Sequence, residues 1–179
     1  ESITVVKNNS NIIPLKVNKY KKVTHLMLSM DDGIRSRLKT YAKDIKKTHG
    51  NVNDIIINDK LSKLQIKDII NKVKGSDLII ISMLIRIKMD KGISTINETH
   101  NRLISKIHKM RIPVLGVSFG SPYLPDYSSL DTYICTYGYG NVSIKAASNC
   151  IFGRIDINGT LPINLNNKFK IGHGIKLNK

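Results

Sequence analysis

Acidic residues are scarce in this chain: thirteen aspartates and glutamates stand against twenty-nine lysines and arginines, a net charge of +16. An imbalance of that size first points to nucleic acid, because clustered cations release counterions from phosphates. Aromatic residues are also few, with three phenylalanines, seven tyrosines and no tryptophan. The cations do not cluster and the aromatics do not interleave with them. Lys19, Lys21 and Lys22, then Lys39, Lys43, Lys46 and Lys47, then Lys60, Lys63 and Lys67 fall on the polar faces of helical stretches. A solvated surface without a nucleic-acid partner is the expectation.

Cysteine occurs twice, at Cys135 and Cys150 in apolar surroundings, with no C-x-x-C spacing and no histidine at ligand spacing. Free buried thiols are expected rather than a bridge or a zinc site, and no metal or cofactor is implied. Long apolar runs are missing as well. The longest, Leu78 to Ile85, is far short of the about 20 residues that cross a bilayer, so a soluble domain with no membrane contact is expected from this segment. The chain opens at Glu1 without a basic stretch and an apolar h-region. A signal peptide or an upstream domain is therefore expected to have been removed or to lie outside it.

What is present is one domain's worth of chain. At 179 residues, one core buries about two thirds of the unfolded surface, so residues 1–179 are read as a single domain. Short β-branched runs alternate with amphipathic stretches, the pattern of a mostly parallel α/β sheet of about five or six strands sandwiched between helices. Strands are expected at Val23–Ser29, Asp54–Ile57, Asp77–Leu84, Val114–Phe119 and Thr132–Thr136. Between them, Leu38, Tyr41, Ala42 and Ile45, then Ile66, Ile69, Ile70 and Val73, then His100, Leu103, Ile104 and Ile107 recur at helical spacing. Thr95 and Glu98 have the spacing of a capping box for the third of these helices. A fourth helix is expected over Asn141–Phe152, with Val142, Ala146, Ala147, Cys150 and Ile151 on its apolar face. Residues 156–179 read as a β-rich tail around Asn158-Gly159-Thr160. Ile3–Val6 and Ile12–Leu15 flank a polar turn at the other end.

One segment invites a catalytic reading. Gly116-Val117-Ser118-Phe119-Gly120 matches G-x-S-x-G after a strand, and Asp156 and His173 follow in serine-hydrolase order. A nucleophile elbow needs a helix springing from the serine. Pro122 and Pro125 oppose one, at a cost of about 3 kcal/mol in the second turn. Ser118 is thus expected to face inward or into the loop. Ligands of open α/β sheets bind outside the carboxyl ends of the strands. There the topology gathers Asp31, Asp32, Arg86, Lys88, Ser121, Tyr123, Tyr137 and Tyr139. Adjacent carboxylates in a turn usually cap a helix, and Asp31 and Asp32 are read that way.

Several segments together resemble a known pattern. Ser2-Ile3-Thr4-Val5-Val6-Lys7-Asn8 with Ile12-Ile13-Pro14-Leu15 is similar to the opening of the C-terminal domain of family 3 glycoside hydrolases. Val117-Ser118-Phe119-Gly120-Ser121-Pro122-Tyr123-Leu124 resembles a segment of the β-N-acetylhexosaminidase branch. Thr136-Tyr137-Gly138, Ala146-Ala147, Ile151-Phe152-Gly153, Gly159-Thr160-Leu161-Pro162-Ile163 and Ile171-Gly172-His173-Gly174-Ile175 follow in the same order. The resemblance implies a non-catalytic domain of a hydrolase of O-glycosyl bonds, whose nucleophile and acid/base lie on a separate N-terminal (β/α)8 barrel. Its implied partners are that barrel and a carbohydrate substrate, and an extracytoplasmic or cell-envelope location suits such a parent protein. The expected barrel-facing or substrate-side residues are Arg86, Lys88, Ser118, Ser121, Pro122 and Tyr123. Two other classes remain as alternatives: a serine hydrolase using Ser118, and a basic nucleic-acid-binding module.

Overall fold

A computed structural model describes residues 3–29, 31–87 and 94–179, with Asp32 described by its backbone alone. Lys88 therefore lies outside the described residues. The strands are β1 (Thr4–Asn8), β2 (Val23–Ser29), β3 (Val52–Ile57), β4 (Leu78–Ile85), β5 (Val114–Gly120) and β6 (Thr132–Cys135). The helices are α1 (Ser36–His49), α2 (Lys63–Val73), α3 (Glu98–His108) and α4 (Asn141–Ile151), with a short 3-10 turn at Asp32–Ile34. The six strands form one sheet in the order β1-β6-β5-β4-β2-β3. Only β1 runs antiparallel to its neighbour.

Alternation along β4 explains the layering. Leu78, Ile80 and Leu84 enter one core with Leu38, Tyr41 and Ile45 of α1 and Ile144, Ala147 and Ile151 of α4. Ile79, Ile81, Met83 and Ile85 enter the other, with Ile69 and Val73 of α2 and Leu103, Ile104 and Ile107 of α3. Every residue of β4 is buried, as a central parallel strand covered on both faces requires. Each such leucine or isoleucine contributes about 1.5–3 kcal/mol by leaving water.

Local chemistry sets the helix ends, in two places differently from the expectation. The cap of α3 is Asn97, whose side chain accepts from His100 N at 2.9 Å. Thr95 instead donates to the Tyr123 carbonyl at 2.9 Å, and Glu98 is the first helical residue, so the Thr95–Glu98 box does not form. A reciprocal capping box forms at Ser62 and Gln65. On α4, Val142 is 84% exposed. The inward stripe is Ile144, Ala147, Ser148 and Ile151; Val142, two residues from Ile144, is turned about 200° away from it. Cys135 and Cys150 are free and buried. Burial pushes both thiols up to about 12, so neither supplies a thiolate near neutrality.

The tail closes the β1 side of the sheet. Ile175 N donates to the Val5 carbonyl at 2.8 Å and Ile157 exchanges backbone bonds with Leu177. Gly159 packs so tightly on Ile3 that a Cβ would run into its carbonyl. Ile12–Leu15 is not a strand. Its first two amides are held at 3.1 and 3.2 Å by the Asn8 side chain.

Candidate functional site

The parallel strands deliver their carboxyl ends to one rim, and the sharpest bend on it follows β5. Gly120 adopts φ +90°, a conformation that glycine enters without steric cost, and this turns the Ser121 amide onto the Ile85 carbonyl at 2.9 Å. No helix follows. Residues 121–131 instead form a loop, in which Tyr127 and Tyr133 hydroxyls donate to the Pro122 carbonyl at 3.2 and 2.7 Å.

Ser118 is fully buried and its hydroxyl donates to the Ser121 carbonyl. Ser121, also buried, donates to the Ser94 carbonyl. Asp156 accepts from Lys179 N at 2.7 Å and His173 bonds to the Val6 carbonyl at 2.8 Å. Ser118, Asp156 and His173 each bond elsewhere, so they form no hydrolytic triad. Ser118 holds the bend from inside and is closed to any outside group.

A cleft of about 410 Å³ opens at the rim between Arg86, Ile87, Ser121, Pro122, Tyr137 and Tyr139. Three of the expected residues, Arg86, Ser121 and Pro122, meet there. Tyr123 is exposed on the same loop but does not line the cleft. Tyr137 and Tyr139 do line it; the signal for them was their place just after a strand's carboxyl end. Tyr137 is held at φ +58°, uncommon for a bulky side chain. Its hydroxyl donates to Thr4 Oγ1 at 3.0 Å, and burial raises its pKa to about 12.

Arg86 reaches Asp31 at 3.7 Å. That pair is half-exposed and loosely spaced, so it is worth less than about 1 kcal/mol and leaves the guanidinium open to another partner. Asp31 caps the 3-10 turn, accepting from Gly33 N at 3.0 Å, and not the helix α1 as expected, which follows Arg35 without a side-chain cap. The rim thus offers a cation, two phenol rings and backbone dipoles. Polar groups at a half-apolar wall can bind a polyol or dock against another domain.

A chain of the serine–histidine–aspartate kind does occur, in the interior. His25 Nδ1–H donates to Asp54 Oδ1 at 3.0 Å, and the Ser82 hydroxyl donates to His25 Nε2 at 2.6 Å. Lys46 completes it with an ion pair to Asp54 at 2.6 Å. His25 and Ser82 have no exposed surface, so no substrate reaches them. Burial drives the His25 pKa down, against the pull of Asp54. Burial also raises Asp54, but bonds from His25 and Lys46 outweigh it and hold the carboxylate below its ordinary range. The network clamps β3 to β2 and β4. Its sequence signal was polar residues inside otherwise apolar strands. Among the described residues no group of three histidine, cysteine or acidic side chains is placed to hold a metal ion, and no helix is long and apolar enough to cross a membrane.

No family model and no curated protein matches the chain. Solved structures do. A fungal multi-domain GH3 β-N-acetylglucosaminidase, described as carrying a GCN5-related glucosamine N-acetyltransferase region, matches with a TM-score of 0.72 at 24% identity, over 92% of this chain and 18% of that one. The β-glucosidase of Listeria innocua in complex with isofagomine gives 0.74 at 14%, over 91% and 25%. A glycoside hydrolase family 3 β-N-acetylglucosaminidase from Paenibacillus sp. str. FPU-7 gives 0.68 at 17%, over 92% and 30%. At such identities the likeness is one of fold. The chain spans less than a third of the length of these structures, and its six-stranded α/β fold is one that multi-domain family 3 glycosidases contain.

Proposed function

We propose that this chain is the non-catalytic C-terminal domain of a family 3 glycoside hydrolase of the β-N-acetylhexosaminidase type. It packs the rim of Arg86, Ser121, Pro122 and Tyr123 against a catalytic barrel and lines part of the sugar cleft with Tyr137 and Tyr139. The observation that carries the reading is the near-complete coverage of this chain, about nine tenths, by parts of several family 3 enzymes of differing specificity. The likeness extends to a β-glucosidase, so it does not depend on the acetyltransferase region of the fungal protein. Retaining glycoside hydrolysis uses two carboxyl groups about 5–5.5 Å apart. Asp31, the carboxylate beside Arg86 at the rim, caps a turn and pairs with Arg86. The hexosaminidase branch is favoured by the Val117–Leu124 segment and the order of motifs around it.

The test has two parts. The isolated chain is expected to leave a chromogenic N-acetylglucosaminide unhydrolysed; turnover would overturn the non-catalytic role. The coding sequence upstream of residue 1 is expected to encode a (β/α)8 pattern, and with that barrel attached, Arg86→Ala raises KM. An upstream sequence without such a pattern refutes the proposal.

A further inference from the structure

A second cleft lies away from the rim, along the groove between α1 and α4, with a volume of about 600 Å³. Its walls carry three cations, Lys47, Lys145 and Arg154, and one carboxylate, Asp44. Among the described residues, none of the three cations has a carboxylate partner within ion-pair distance. Arg154 is the best positioned. Its guanidinium stacks over the Phe152 ring at 5.1 Å and donates to Thr48 Oγ1 at 2.7 Å, while its backbone N–H is fixed on the Asn149 carbonyl at 2.8 Å. A guanidinium held from two sides is preorganised, and loses little freedom when it takes an oxyanion in a bidentate pair.

The rest of the lining suits hydroxyl groups. Thr40, Asn141 and Asn149 offer donors and acceptors. Ser148, only 3% exposed, lines the cleft, and its hydroxyl has no hydrogen-bond partner among the described residues. A buried hydroxyl without a partner costs free energy, and a ligand that draws it into a bond recovers that cost. Charge excess, a preorganised arginine and an unsatisfied hydroxyl converge in one groove of a size that holds a small sugar.

We propose that the α1/α4 cleft is a binding site for a small anionic sugar, a polyol carrying one phosphate or carboxylate. Arg154 and Lys145 take the oxyanion, and Thr40, Asn149 and Ser148 take the hydroxyls. The site is independent of the rim and of the barrel-docking role.

The experiment is an amide NMR titration of the chain with glucose 6-phosphate, glucuronate, glucose and inorganic phosphate. Saturable shifts confined to α1, α4 and residues 149–154 are expected with glucose 6-phosphate or glucuronate, which also separate phosphate from carboxylate as the anion. Arg154→Ala and Lys145→Ala, both at exposed positions, are each expected to weaken binding by about tenfold or more, the value of one charge-assisted hydrogen bond. Removing the charges of Lys63 and Lys67 on the opposite face leaves it unchanged. Equal binding of glucose refutes the anion requirement, and equal binding of inorganic phosphate refutes the sugar. Loss of affinity on the Lys63/Lys67 change, or no saturable shift at millimolar ligand, overturns the site.

Discussion

Replacing Gly120 by alanine tests the bend that shapes the rim. Two costs add. A side chain at φ +90° incurs about 1–2 kcal/mol of backbone strain. The new Cβ also collides with the Ile85 carbonyl, which already accepts from Ser121 N at 2.9 Å; losing that bond in a buried place costs about 1–3 kcal/mol. The sum is about 3 kcal/mol, which for a chain of this size lowers Tm by about 6–12 °C. Gly75 is the control. It has a similar φ of +79° with open space around its Cβ position, so Gly75→Ala carries the strain alone, about 1–2 kcal/mol. Urea unfolding of both variants separates the terms, because unchanged slopes convert midpoints directly into stability. A Gly120→Ala loss no larger than that of Gly75→Ala would refute the clamp between Ile85 and Ser121.

The interior histidines make stability pH-dependent. Burial holds His25 and His100 below their ordinary value of 6.5, so the unfolded chain binds the extra protons. Stability is then complete above about pH 6.5 and falls as pH drops below it; urea midpoints taken from pH 7.5 to 5 show the slope, and it becomes shallower in His25→Gln. Both thiols, pushed up to about 12, should resist a thiol-exchange reagent in native protein and react together in denaturant; rapid native labelling would contradict their burial. On α4, Ile144→Ala is expected to cost about 2–5 kcal/mol. Val142→Ala stays within about 0.5 kcal/mol, and thermal melts of the pair check which residue faces the core.

Much of the architecture is legible in residue order. The β-branched run of β4, apolar except for Ser82, reads as a strand covered on two faces, and the stripe of Leu103, Ile104 and Ile107 reads as one side of a helix. The first residues of helices are less legible, since Asn97 and Thr95 both carry capping oxygens and tertiary contacts decided between them. Val142 misled because a single valine in the first turn fits an apolar face on composition, while the angle to Ile144 excludes it. At the rim, Arg86 and Pro122 could be placed from the strand ends alone. Tyr137 and Tyr139 could also be placed there from the strand ends, but the positive φ of Tyr137 is a backbone conformation that no side-chain pattern announces. The α1/α4 groove was invisible to sequence, because its lining comes from residues about a hundred positions apart.

The strap formed by the last residues has a consequence for synthesis. β1 meets β6 only after Thr132 is made, and on its outer side the Val5 and Val6 carbonyls are met by Ile175 N and the His173 ring. Within this domain the first strand to be made is thus the last to be sealed on both sides, and loss of the strap around Ile175 would present a bare row of backbone groups to its neighbours.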